Sequence, residues 1–444
     1  MSLQPRRSYW PAHCSRPETS TRSTSHCGSH VPTDSLSPTE KEPIVTNGPR
    51  IQPHAIQEIT THTSTPDILA NAQRDRERYG LDDVFIVDVD SHHSELASWP
   101  EIISYVEDPV LRDTAEQMML HRPLAGKMAL SSYDPGLALQ DAGARIPHQS
   151  NLAEPIPPGD DHRDVELARR AMDAMSIDVQ VVFPQPMLGI GLHPDPTIAV
   201  PLLKAYNRWF VEHILPKDPR IKSLIALPFE DPQACLETVH LYGDNPDVLG
   251  FMVTSQRHAG VHRNEYMRLY AELEERGLPL GFHAGPSWKD TMTSTMNRFL
   301  SVHAMSFVTC NMTHMTNWII NGLPERFPNL KVIWIESGLA WIPFMMQRLD
   351  HEYLMRQSEA PLLRQLPSDY IRQMYHTSQP LEVTDMKLLE STFTAMNAQD
   401  SLLYASDWPH WDFDLPSRIM NLPFLDRDAK LNILGGNARK LFGL

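Results

Sequence analysis

The sequence predicts a single α/β domain of the (β/α)8 type, a TIM barrel, with a disordered N-terminal extension and one long insertion after its first strand. Three observations predict it. Eight short, continuous apolar runs rich in β-branched residues recur between Phe85 and Ser406, the pattern of strands covered on both faces, as in a parallel sheet. Longer segments with helical spacing lie between them and supply the crossovers that parallel pairing requires. Neither an internal repeat nor a GxGxxG turn divides the chain, so one barrel over roughly 360 residues fits better than two doubly wound domains.

Residues 1–65 are rich in Ser, Thr, Pro and His and lack apolar periodicity, so they cannot bury enough surface to offset ordering entropy and are expected to be disordered. Arg6, Arg7, Arg16 and Arg22 faintly resemble a transit peptide, but the prolines and the missing amphipathic face favour a plain extension or a start placed too far upstream. His13, Cys14, His26, Cys27 and His30 match no zinc-finger spacing. The barrel is expected over residues 81–444. Its predicted strands are Phe85–Val89, Val179–Phe183, Ser223–Leu227, Gly250–Val253, Leu280–His283, Val332–Ile335, Gln373–Thr377 and Leu402–Ser406. Predicted helices include Pro201–Leu215, Pro232–Tyr242, Asn264–Arg276 and Trp341–Tyr353. The Pro- and Asp-rich stretch Ser94–Asp164 reads as an insertion over one end of the barrel.

A net charge of −16 leaves no basic footprint for a phosphate backbone or an anionic membrane surface, so nucleic acid is excluded as a partner. Apolar runs fall short of the roughly 18–20 residues that a membrane span needs. Four cysteines at wide spacing suggest neither a disulfide framework nor a CxxC site, which favours a cytoplasmic enzyme. A small-molecule substrate is the expected partner, and aromatic-rich surface helices leave room for a homodimer.

In such barrels chemistry sits at the carboxyl ends of the strands. The first run finishes in Asp90-Ser-His92-His93, where Asp90 and His92 point the same way from an extended backbone and can reach one ion. Asp88 and His93 are read as structural. The fifth run ends on His283, the sixth is followed by Glu336-Ser-Gly338, and the eighth leads to Asp407-Trp408-Pro-His410. Any one of these is a weak signal; together they form an imidazole and carboxylate shell for a divalent metal, zinc before iron(II) or manganese. One ion is expected, or two if Glu336 bridges. Glu336 is read as a general base or ligand before an N-cap for the helix near Trp341. His410, Trp408, Gln379, Trp288 and His303 are expected to contact substrate, the last two within an apolar wall over the site. Asp350–Tyr353 reads as a structural or interface feature.

From about Leu81 to the end, these motifs resemble the amidohydrolase-related family that includes aminocarboxymuconate-semialdehyde, dihydroxybenzoate and resorcylate decarboxylases. The resemblance rests on Ile86–His92, Pro279–His283, Gly322–Lys331, Ser406–His410 and Asn437–Phe442. It implies that Asp90, His92, His283 and Asp407 stand at the family's ligand positions, and that Asp407 handles the proton of a metal-bound water. One departure stands out: where the family carries His-x-Gly after strand six, this chain reads Glu336-Ser-Gly338.

That departure bears on the reaction. Ionised Asp90, Glu336 and Asp407 around one divalent ion sum to −1, which opposes a substrate carboxylate by ~1 kcal/mol or more at an effective dielectric near 20. A protonated Glu336 would remove the objection, as would Arg257, Arg298 or Arg348 in the pocket. On charge alone the preferred reading is a hydrolase that uses a metal-activated water to attack a carbonyl of a small organic substrate, with Asp407 and Glu336 catalytic. The alternative is nonoxidative decarboxylation of an aromatic or unsaturated acid, and a third reading is a barrel that binds without catalysis.

Overall fold

The structure is a computed structural model that describes residues 65–95, 98–121, 159, 161–410 and 412–444. The expectations for residues 1–64, and most of those for the insertion, lie outside the described residues. Eight parallel strands run in the order β1 to β8: β1 Val87–His93, β2 Val179–Pro184, β3 Ile221–Ala226, β4 Val248–Thr254, β5 Leu280–His283, β6 Val332–Ile335, β7 Tyr375–Thr377 and β8 Leu402–Leu403. The ring closes from β8 back to β1 through an isolated parallel bridge, Ser91 to Trp408, and through the Val89 N–H donated to the Tyr404 carbonyl at 2.9 Å. The predicted (β/α)8 barrel is therefore the observed fold.

The principal helices are α1 Thr65–Tyr79, α2 Trp99–Ser104, α3 Pro109–His121, α4 Arg163–Met175, α5 Pro196–His213, α6 Pro232–Tyr242, α7 Met267–Arg276, α8 Phe299–Ile320, α9 Trp341–Met355, α10 Met386–Met396 and α11 Asn437–Phe442. Side-chain caps fix several starts. Asp231 accepts from the N–H groups of Gln233 and Ala234 at the head of α6, and Asp195 accepts from Thr197 N–H at the head of α5. Each such cap stabilises its helix by about 1 kcal/mol. Helix α5 thus begins five residues before the predicted Pro201, because Asp195-Pro196 makes the start and Pro201 is carried inside the helix.

Six strands differ from their apolar runs, three of them for identifiable reasons. β1 continues through Asp90-Ser-His-His because Ser91, His92 and His93 stay paired with β2 and the Ser91 hydroxyl donates to the Val181 carbonyl at 3.0 Å. β7 starts late because Gln373 and Met374 still close a turn onto Tyr370 and Ile371. β8 is short, and Tyr404–Ser406 instead serve the seam with β1. The pairing of β1 with β2 slips by one residue between Asp88 and Ser91, a bulge of the kind that re-aims side chains beside a site.

The described part of the insertion begins at the strand ends. Glu95 accepts the N–H groups of Gln185 (3.0 Å) and Met187 (2.7 Å) beyond β2, and the Trp209 indole of α5 donates to Glu101 in α2 at 2.9 Å. Asp350 and Tyr353 are structural: Asp350 accepts from Ser368 N–H at 2.8 Å, and the Tyr353 hydroxyl donates to the Leu363 carbonyl at 3.2 Å. Among the described residues no helix is long and apolar enough to cross a membrane.

Candidate metal centre

The parallel register brings the strand ends level. β4 pairs Thr254 with His283, and β5 pairs His283 with Ile335, so Glu336 lies one residue beyond His283. On the other side of the ring, Asp407 N–H donates to the Asp90 carbonyl at 2.7 Å, and His92 N–H donates to the Trp408 carbonyl at 2.6 Å. Asp90, His92, His283, Glu336 and Asp407 are all buried. One ligand atom from each of Asp90, His92, His283 and Glu336 falls within a common 4.8 Å, and His92, Asp407 and His410 form a second such group. The structure therefore gathers Glu336 with Asp90, His92 and His283, and joins Asp407 to the same His92 Nε2.

The separations are those of a coordination shell. Asp90 Oδ1 lies 3.3 Å from His92 Nε2 and 3.2 Å from His283 Nε2, and Asp407 Oδ1 lies 3.2 Å from His92 Nε2. Glu336 Oε2 lies 4.0 Å from His92 Nε2, and its 3.5 Å approach to His283 is to Nδ1, not to the Nε2 that faces Asp90. A tetrahedron of ~2.1 Å metal bonds has edges of about 3.4 Å. Asp90 Oδ2, His92 Nε2, Glu336 Oε2 and Asp407 Oδ1 are buried without a hydrogen-bond partner among the described residues, a costly arrangement unless something else binds them. His92 Nδ1 donates to the Pro184 carbonyl at 3.3 Å and His283 Nδ1 to the Ala284 carbonyl at 2.8 Å. Each leaves Nε2 free of a proton for a cation, the usual way a backbone carbonyl orients a ligating imidazole. The donor set fits a divalent ion.

Without a cation the cluster holds protons. Burial, then the neighbouring Asp407 and Asp90, drive the Glu336 carboxyl well above its ordinary range. Burial pushes Asp407 up to about 7. Burial alone would lower His92, but the Asp407 and Asp90 carboxyls beside it push it up to about 10. Asp90 is also pushed up by burial, yet His283 and His92 hold it well below the usual carboxylate range.

Two ligand-type residues stand on unusual backbone. Glu336 has φ 56° and Asp407 φ 59°, left-handed conformations that cost a non-glycine residue about 1–2 kcal/mol and tend to collect at functional sites. The Glu336 N–H is held by Thr377 Oγ1 at 2.9 Å. Glu336 is not a helix cap; α9 starts after Ala340 with no side-chain cap, because the glutamate points back among the imidazoles. Asp88 is tied into the fold by hydrogen bonds. It accepts from Ser406 N–H (2.8 Å), Ser406 Oγ (2.6 Å) and Gln180 Nε2 (3.2 Å), which ties β1 to the segment that carries Asp407. His93 turns away to Asp164 (3.1 Å) and Tyr206 (2.8 Å).

The expected substrate contacts divide. His410 is in the cluster: its Nδ1 lies 2.6 Å from Asp407 Oδ1, and its ring stacks on His92 at 4.3 Å. Gln379 is buried just past β7, with Nε2 3.5 Å from the Asp412 carbonyl. The Trp408 carbonyl accepts from His92 N–H, and its ring packs against the core, edge-on to Phe413 at 5.0 Å. The Trp288 indole donates to the Met296 carbonyl at 2.9 Å within its own loop. Trp288, Phe299, His303 and Phe307 form a row of neighbouring rings that leads to Ala284, next to His283. None of the three arginines proposed to offset the charge does so from a free position. Arg257 is enclosed by Glu230 (2.7 Å) and two carbonyls, Arg348 pairs with Glu352 at 3.0 Å on the exposed side of α9, and Arg298 is exposed.

A family model described as amidohydrolase matches residues 89–444. Gamma-resorcylate decarboxylase of Rhizobium sp. (strain MTP-10005) is 23% identical over 294 residues, which covers 64% of this chain and 88% of that protein. The protein of the same name from Polaromonas sp. (strain JS666 / ATCC BAA-500) is 21% identical over 262 residues, 56% of this chain and 78% of that one. Among solved structures, 5-carboxyvanillate decarboxylase LigW from Sphingomonas paucimobilis aligns with a TM-score of 0.58 at 18% identity, covering 82% of this chain and 100% of that one. A dihydroxybenzoic acid decarboxylase from Polaromonas sp. JS666, with bound manganese and the inhibitor 2-nitroresorcinol, aligns with a TM-score of 0.56 at 17% identity, covering 81% and 97%.

Proposed function

The chain belongs to the amidohydrolase family, and from that premise we propose that it is a divalent-metal-dependent nonoxidative decarboxylase of an aromatic acid. The reading is carried by the kinship with gamma-resorcylate decarboxylases, over 88% of the length of the Rhizobium sp. protein, joined to a buried donor set that suits one divalent ion. Manganese is the proposed ion, in keeping with the manganese in the Polaromonas enzyme, and replaces the zinc favoured on ligand chemistry alone. When bound, the ion supplies a positive charge that receives the substrate's oxygens and stabilises charge developing on them.

Asp90, His92, His283, Asp407 and Glu336 are the proposed ligand set. The charge objection to a carboxylate substrate assumed an ionised Glu336. Burial and two neighbouring carboxyls favour its neutral form, and a neutral Glu336 brings the five-residue site with one divalent ion to zero charge. Decarboxylation breaks the bond between the ring carbon and the carboxylate, releases carbon dioxide and leaves an electron pair that must take a proton. Asp407, buried at the strand end and 2.6 Å from His410, is the proposed group that carries this proton to the ring carbon. His410 orients the Asp407 carboxyl, and the ring row from Trp288 to Phe307 excludes water on one side.

Hydrolysis is the second reading, favoured by the carboxylate of Glu336 beside His283. The two separate by product: manganese-loaded protein is offered hydroxylated aromatic acids, and amides and esters of matched size. Release of carbon dioxide with no acid or amine released is the expected outcome, and the reverse would replace decarboxylation by hydrolysis. Asp407→Asn should lower kcat by about 10²–10⁴-fold, the contribution of a positioned proton donor, with little change in thermal midpoint.

A further inference from the structure

Helix α8 has no Asp, Glu, Lys or Arg along its 22 residues. Its buried face is mostly apolar, with Val302, Phe307, Met315, Trp318 and Ile319 among its members. Asn311 interrupts that face and is fully buried, a position where an amide costs stability unless its hydrogen bonds are met. All three are met, and all lead to strand ends. The Asn311 amide donates to the Ile335 carbonyl at 3.2 Å and to the Ser337 hydroxyl at 3.1 Å, and its Oδ1 accepts from the Ser255 hydroxyl at 2.6 Å. Ile335 and Ser337 are the two neighbours of Glu336, so one side chain holds the backbone carbonyl before, and the hydroxyl after, a residue at φ 56°.

The third arm reaches the other half of the cluster. Ser255 N–H donates to the His283 carbonyl at 2.7 Å, and Ala284 N–H donates to the same Ile335 carbonyl at 3.2 Å. One turn further along α8, His314 Nε2 donates to the Ser255 carbonyl at 2.7 Å. The segments that bear His283 and Glu336 are thus joined through one buried amide. We propose that Asn311 is a positioning residue of the metal centre: it holds Glu336 in its left-handed conformation and fixes that carboxyl against His283. The proposal rests on Glu336 and His283 being ligands.

The test is a double-mutant cycle read in manganese affinity, by calorimetric titration of metal-stripped protein. Asn311→Ala is expected to weaken binding by about 10–100-fold, the range for residues that orient ligands. In the Glu336→Gln background the same change should cost less than about threefold, since residues acting through one another are not additive. Asn207 provides the control: it is equally buried and donates to the Ala226 carbonyl at 2.8 Å, at the end of β3, where no cluster residue sits. Asn207→Ala should leave manganese affinity unchanged. Independent, multiplying losses in the cycle, or an equal loss in Asn207→Ala, would overturn the proposal. Should Asn311→Ala fail to fold, Ser337→Ala removes one acceptor and must show the same non-additivity with Glu336→Gln. A wild-type protein that takes up no manganese would instead sink the reading of the centre, and the positioning role with it.

Discussion

Three carboxyls and two imidazoles share a volume that water does not reach, and protons and a cation compete for them. With no cation, burial keeps Asp407 at about 7 and Glu336 well above its ordinary range, while its carboxylate neighbours keep His92 at about 10. A cation binds the deprotonated atoms of Asp407 and His92, so these two must lose protons for it to enter while Glu336 keeps its own, and affinity falls as pH falls. Manganese affinity should therefore rise between about pH 6 and 8, by up to about tenfold per unit for each proton displaced. Titrations in buffers of different ionisation enthalpy count those protons, and binding with no proton release would contradict the picture. The cluster residues were legible in the sequence because each follows an apolar run in a barrel that gathers strand ends. The place of Trp408 beside Asp407 says nothing about the orientation of its ring, which packs edge-on to Phe413. Asn311 left no trace, because a single Asn in an uncharged helix gives no sign of which carbonyls it reaches.

Elements follow local rules where the chain obeys them and depart where tertiary contacts decide. Apolar runs located β5 and β6 to the residue, and α6 to its Asp231 cap, because burial pattern and capping act locally. The start of α5 was misplaced by reading Pro201 as its first turn, and β1 was cut short because its last four residues are polar yet buried. The seam between β8 and β1 is held by contacts that no local pattern announces. Tyr404 N–H donates to the Ile433 carbonyl at 3.0 Å in the π-helical turn Asn432–Gly436. A Cβ on Gly435 would stand 2.1 Å from the Phe85 carbonyl oxygen, a backbone atom that cannot swing aside. Gly435→Ala should therefore lower stability by about 1–3 kcal/mol, the usual range for overpacking. A urea midpoint equal to the wild type's would show that the turn has room the contacts deny it.

At the scale of the molecule, eight parallel strands and their crossovers were readable because parallel sheets bury both faces and write that burial into the sequence. The reaction was not. Counting formal charges favoured hydrolysis, a count that took Glu336 as ionised, whereas its burial beside Asp90 and Asp407 favours the neutral form. Family membership and the resorcylate decarboxylase relatives favour carbon dioxide release instead. The whole reading depends on the claim that distant strand ends converge on one ion. Metal content per chain, measured by elemental analysis on wild-type protein and on the Asp90→Ala, His92→Ala double variant after equal exposure to manganese, tests it most directly. The account predicts one ion per wild-type chain and a near-complete loss in the folded double variant; unchanged content in that variant would contradict it.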